Sequence, residues 1–261
     1  MDSLMTPECA RALLEWQVEL GVDEAMADAP VDRYALGAAA GRQTVAAVPH
    51  AAPAPSDDAV DPVAAATAAA AQAADLPALA TAMAAYPHCE LRRGARRFVF
   101  ADGNPAARVM IVGEAPGNEE DREGRPFVGP AGQLLDRMFA AIGLSRTSSN
   151  PATAVYITNV LPWRPPSNRT PEQAEIAMML PFLRRHITLA APEVIVMMGN
   201  TPCQALLGRA GITRIRGEWT QVLGLPALPM VHPAYLLRQQ MAKREAWADL
   251  LSLRARLEAA R

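Results

Sequence analysis

Beyond residue 85 the apolar positions fall into short unbroken runs separated by longer amphipathic stretches. Val109-Met-Ile-Val112 is apolar without alternation, as are most of Ala154-Val-Tyr-Ile-Thr-Asn159, Glu193-Val-Ile-Val-Met-Met198 and Leu228-Pro-Met-Val231. Runs of this length that do not alternate predict strands buried on both faces. Between them, residues 130–142 read as a helix ended by Gly143, Pro171 starts a second that runs to Leu189, a short one reaches Leu207, and 241–259 form a closing amphipathic helix. Arg97-Phe-Val-Phe100 alternates like a short strand before a turn at Asp102-Gly-Asn-Pro105, and residues 212–225 resemble a hairpin. Strands alternating with helices predict an α/β domain: three layers, α/β/α, around a central four-stranded, mainly parallel sheet.

The first third of the chain has another texture. Residues 1–27 place Leu13, Leu14, Trp16 and Leu20 at helical spacing after Thr6-Pro7-Glu8, so a helical N-terminal extension is expected. Residues 28–62 are Ala/Pro/Asp-rich and aperiodic, the composition of a linker. Residues 63–85 are mostly Ala with Leu76, Leu79 and Met83, which favours a spacer helix. The expected division is therefore a helical segment at 1–27, a linker and spacer helix at 28–85, and a folded domain at 86–261.

Charge sharpens this division. Residues 1–85 hold 3 Arg and 12 Asp/Glu, a net of −9, whereas residues 86–261 hold 22 Lys/Arg and 15 Asp/Glu, a net of +7. A basic body behind an acidic leader is compatible with a nucleic-acid partner. Three scattered cysteines, Cys9, Cys89 and Cys203, argue for a reducing, cytoplasmic compartment and against a disulfide framework. No basic stretch precedes an apolar core at the N-terminus, and no apolar run is long enough to span a membrane, so neither export nor membrane insertion is expected.

The chemistry-bearing stretch is Val109-Met-Ile-Val-Gly-Glu-Ala-Pro-Gly117, followed by Asn118-Glu-Glu-Asp121 and Gly124-Arg-Pro-Phe127. A buried strand entering a Gly/Pro turn before a helix is where open α/β sheets place ligands. A phosphate loop fits poorly: there is no G-x-x-x-x-G-K-[ST], Pro116 lacks an N–H donor, and Glu119-Glu120-Asp121 would repel phosphate. Taken alone, the turn reads better as a plain strand-to-helix connection with solvated acids.

The ordered set decides the matter. Gly113-Glu-Ala-Pro-Gly117, Gly124-Arg-Pro-Phe-Val-Gly129, Thr158-Asn159, Arg164-Pro-Pro-Ser-Asn-Arg-Thr170 and His232-Pro-Ala-Tyr-Leu-Leu-Arg238 together resemble the uracil-DNA glycosylase superfamily, family 4 most of all, over about residues 86–257. The resemblance implies hydrolysis of the N-glycosidic bond of deoxyuridine, leaving an abasic site during base excision repair. The base must be flipped out of the stack to be reached. By resemblance, Gly113, Ala115, Pro116 and Gly117 line the pocket, Phe127 stacks on the flipped base and Asn159 reads its edge. His232 then donates to uracil O2 as charge develops there. Ala115 occupies a place where many superfamily members carry Asp or Asn, which leaves Glu114 and Glu120 as the carboxylates for the water. Leu236 and Leu237 resemble the apolar wedge that fills the gap in the duplex. Arg164, Arg216 and Arg238 are candidates for phosphate contacts. The implied partner is uracil-containing DNA; a monomer associated with the nucleoid is expected.

Two departures from the family follow. A [4Fe–4S] cluster normally takes four thiolates, yet the ligand positions read Tyr86, Cys89, Trp163 and Met179. No cluster and no other metal is expected, with Tyr86, Trp163 and Met179 packing as an apolar plug. The loop 160–170 has no histidine, so covalent trapping of uracil-DNA is not expected, and Ala234 stands where the family motif usually has Ser. These losses keep two alternatives open: a non-catalytic or weakly catalytic binder of uracil-containing or abasic DNA, and a glycosylase of broader range for deaminated bases.

Overall fold

The computed structural model describes residues 61–259; the expected helix at 1–27 and the linker to residue 60 lie outside them. Six strands form one sheet: β1 (Ala101–Gly103), β2 (Val109–Gly113), β3 (Val155–Asn159), β4 (Val194–Met198), β5 (Thr220–Val222) and β6 (Leu225–Met230), in the order β1-β3-β2-β4-β6-β5. The four inner strands are parallel, as their unbroken apolar runs predict. Two short antiparallel strands, β1 on β3 and β5 on β6, add the edges that the four-strand expectation lacks.

Alternation within the inner strands divides the core into two layers. Met110, Val112, Tyr156, Ile195 and Met197 face one side, and Val109, Ile111, Val155, Ile157, Val194 and Val196 face the other. The first side is covered by α1 (Pro62–Gln72), α2 (Leu76–Ala85), α6 (Gln173–Ala190) and α7 (Asn200–Leu207). The second is covered by α5 (Pro130–Ala140), α9 (Pro233–Arg238) and α10 (Lys243–Ala259). Short helices α3 (Leu91–Gly94), α4 (Asn118–Glu123) and α8 (Ile212–Ile215) lie in the connections.

Three expectations are corrected. Residues 63–85 are two helices, because Asp61 caps α1 by accepting from Val63 N and Asp75 caps α2 by accepting from Ala78 N. Arg185 of α6 donates two hydrogen bonds to the Ala73 carbonyl between them. Both helices bury residues in the same core as the sheet, so the folded unit extends N-terminal to Tyr86. Residues 97–100 form no strand: the Arg96 and Arg97 amides donate to the Asp121 carboxylate and the Val99 amide to the Pro162 carbonyl. The strand comes next, at β1. Residues 212–225 are not one hairpin; they hold α8, then β5, and the hairpin turns at Leu223-Gly224 into β6.

The plug region is continuous core. Tyr86, Cys89, Trp163 and Met179 are all buried in the first layer. Tyr86 meets Phe182 edge-on at 5.4 Å and donates its hydroxyl to the Pro62 carbonyl at 2.6 Å.

Candidate active site

Parallel strands put their C-terminal ends on one edge. The chain leaves central β2 for β3 on one side and later returns to β4 on the other, which makes a crevice at that edge. Glu114, Asn159, Gly199 and His232 all lie just past or at those ends, and they line a cavity of about 670 Å³. Ala115, Pro116, Gly117, Glu120, Phe127, Tyr235 and Arg238 complete most of its wall.

Asn159 ends β3 opposite Gly113 in the β2 ladder. Its Oδ1 is the only buried side-chain nitrogen or oxygen without a hydrogen-bond partner among the described residues. An acceptor left open in this way costs about 1–3 kcal/mol, which a ligand N–H recovers. Close packing at Gly113 sets the space: a Cβ there would collide with Asn159 Oδ1 and come within 2.5 Å of the Phe127 ring.

Phe127 is buried, with φ of 53°, a left-handed conformation unusual for an aromatic residue. Its ring stacks with the His232 imidazole at 5.4 Å between centroids and 28° between planes. His232 Nδ1 accepts a hydrogen bond from the Ala234 amide at 3.2 Å, which caps α9. That bond assigns the ring proton to Nε2 and makes the imidazole a neutral donor. Burial lowers its pKa to about 4, with the Arg238 charge adding to the shift and Glu120 opposing it.

The two candidate carboxylates differ. Glu120 is nearly buried, and both its oxygens are occupied: Oε2 accepts from Gly117 N, Oε1 from Val128 N and Gly129 N, all at 2.9–3.0 Å. It stitches the turn after β2 to the Phe127 loop. Glu114 accepts one hydrogen bond, from Thr201 Oγ1 to Oε2 at 2.5 Å, and opens onto the cavity. Asp121 is likewise buried and spent on backbone donors, a structural rather than a solvated acid.

The other predicted residues separate. Arg238 reaches the cavity wall. Arg164 donates to Asn168 and Asn118 beside it and is half-buried. Arg216 is not brought to the site: its guanidinium is paired with buried Asp249 and donates to the Glu245 carbonyl on α10. Leu236 is core, packed in the second layer, whereas Leu237 is 43% exposed. Two contributors escaped the sequence reading. Thr201 sits past β4, an end of the same edge, so strand order alone could have pointed to it. Arg146, on the connection before β3, is tied to the Phe127 loop by contacts that no motif signals.

The comparisons with known proteins agree with this geometry. A family model described as the uracil DNA glycosylase superfamily matches residues 100–251. The chain is 40% identical over 159 residues to a type-4 uracil-DNA glycosylase of Sulfurisphaera tokodaii, covering 57% of this chain and 70% of that one. It is 40% identical over 155 residues to a type-4 uracil-DNA glycosylase of Thermotoga maritima, covering 58% and 78%. A third, from Pyrobaculum aerophilum, is 36% identical over 171 residues, covering 62% and 84%. The cavity at the β2–β3–β4–β6 edge thus sits inside the matched region, and the chain belongs to the uracil-DNA glycosylase superfamily, in its type-4 branch.

Proposed function

We propose that this chain is a DNA-repair enzyme that hydrolyses the N-glycosidic bond of deoxyuridine in DNA, releasing uracil and leaving an abasic site. The observation that carries the reading is the open acceptor of Asn159, in one cavity with Phe127 and a neutral His232 donor. Uracil presents an N3–H donor next to the O4 acceptor, and a side-chain amide answers both. Phe127 supplies the stacking face for the flipped base.

In the reaction the C1′–N1 bond breaks, its electron pair goes to the base, and the sugar becomes oxocarbenium-like. His232 Nε2–H donates to O2 of the departing anion. A pre-aimed donor of this kind lowers the barrier by about 3–4 kcal/mol. Glu114 stabilises the sugar cation and orients the attacking water, since Glu120 has both oxygens engaged by backbone amides. Leu237 enters the duplex, and Arg164 and Arg238 meet phosphates; Arg216 is set aside because Asp249 holds it.

The resemblance implies an iron–sulfur cluster, and the residues present do not fit one. Four thiolates are needed; Cys89 is the one thiol at those positions, and Tyr86, Trp163 and Met179 fill the remaining places as packed core. Every step proposed above uses protein side chains.

The test is excision from a uracil-containing oligonucleotide, read as alkali-sensitive breaks, for the wild type, Asn159→Ala and His232→Ala. Breaks at uracil that fall by about 10²–10³ in either variant support the reading. Binding of uracil-DNA with no breaks by the wild type would overturn it.

A further inference from the structure

The most heavily bonded side chain beside the pocket is one that the proposed reaction does not use. Arg146 lies between α5 and β3, and its side chain is 9% exposed. Nε donates to Asp136 Oδ1 at 2.8 Å; Nη1 donates to Asp102 Oδ2 at 3.1 Å and to the Pro126 carbonyl at 2.9 Å; Nη2 donates to the Phe127 carbonyl at 2.8 Å. One guanidinium thus joins β1, α5 and the loop that carries Phe127.

That loop needs holding. Left-handed backbone at a non-glycine residue is strained and persists where the surroundings over-determine it. On one side the Phe127 carbonyl is pressed against α5, where a Cβ at Gly132 would collide with it. On the other, the back of the Phe127 loop faces a second cavity, of about 530 Å³, walled by Ile111, Leu135, Phe139 and Arg146 itself. A strained aromatic residue beside such a volume has a place into which to relax.

We infer that Arg146 is the positioning residue for Phe127: its fork fixes the Pro126 and Phe127 carbonyls on either side of the Phe127 Cα and keeps the ring over the base pocket, out of the second cavity. A lysine cannot reproduce this, because a point charge lacks the planar set of donors. The inference rests on the reading of Phe127 as the face that stacks on uracil.

A double-mutant cycle tests it. Arg146→Gln, Arg146→Lys, Phe127→Leu and the Arg146→Gln/Phe127→Leu pair are compared by single-turnover uracil release at saturating enzyme and by affinity for undamaged DNA of the same sequence. Arg146→Gln and Phe127→Leu each slow release by about ten-fold or more, with Arg146→Lys between wild type and Arg146→Gln, and affinity for undamaged DNA holds within about two-fold. The double variant is no slower than Phe127→Leu alone, because Arg146 acts through that ring. Additive losses, or a wild-type rate in Arg146→Gln, overturn the Arg146 inference. A wild-type rate in Phe127→Leu overturns instead the stacking reading on which it rests. Should Arg146→Gln fail to fold, Asp136→Asn, which loosens the same guanidinium in place, enters the cycle with the same outcomes.

Discussion

The neutral His232 makes a sharp prediction about acid. Its Nδ1 accepts the Ala234 amide proton, so protonation there would set N–H against N–H and break the cap of α9. The pKa lies at about 4, where burial and Arg238 have driven it. At pH 5 a histidine with that pKa is roughly 90% neutral, whereas one at the ordinary 6.5 would be about 3% neutral. Excision at pH 5 should therefore stay within about two-fold of its value at pH 7 for a group of this pKa, rather than fall about 25-fold. The assay is single-turnover uracil release between pH 4.5 and 8, with the folded fraction followed by circular dichroism at each pH. That control matters because the same shift is linked to stability. The folded pKa is below the unfolded one, so the unfolded chain binds the proton more tightly. The contribution is complete above pH 6.5 and declines as pH falls toward 4, by about 3 kcal/mol for this residue. Buried His186, with its pKa lowered to about 3, acts in the same direction. A half-loss of activity centred near pH 6.5 in a fully folded sample would refute the assignment of a neutral donor.

Three other outcomes follow from the packing. Gly113→Ala forces a methyl group into the Phe127 ring edge and Asn159 Oδ1, so excision should fall by about 10² or more while the protein stays folded; near wild-type activity by the same assay would contradict the close approach. Arg216→Ala strands buried Asp249, whose own pKa burial raises, and should lower unfolding free energy by about 3–5 kcal/mol in urea titration while leaving the salt slope of DNA binding unchanged; a shallower slope would restore Arg216 to the DNA surface. Leu236→Ala should cost about 2–5 kcal/mol of stability, whereas Leu237→Ala should leave melting nearly unchanged and slow excision from duplex more than from single strands; equal effects on both substrates would argue against a wedge.

The parallel core was legible because β2, β3 and β4 are buried on both faces and therefore carry unbroken apolar runs. The edge strands were not, because three residues half-exposed, such as Ala101–Gly103, leave no period to detect. The break between α1 and α2 was written in Asp75-Leu-Pro77, a cap followed by proline, but the alanine on both sides masked it. In the site, Asn159, Phe127 and His232 stood out through ordered motifs, and the cavity gathers all three. Glu120 and Arg216 could not be resolved from sequence. Whether a carboxylate or guanidinium faces ligand or its own fold depends on partners that are distant in the chain or carried by backbone amides, such as Asp249 and the Val128 N–H. Arg146 belongs to the same class, since two of its acceptors are backbone carbonyls with no residue signature.

The register of β2 against β3 has one more consequence. Gly113 and Asn159 are direct partners in a parallel ladder, so the backbone that carries the Asn159 amide is held at a strand spacing of about 4.8 Å from β2. Warming loosens loops long before it widens a hydrogen-bonded ladder in the middle of a sheet. The part of base choice proposed for Asn159 should therefore hold for as long as the sheet does, whereas the part proposed for Phe127, carried on a loop, should fail first on warming.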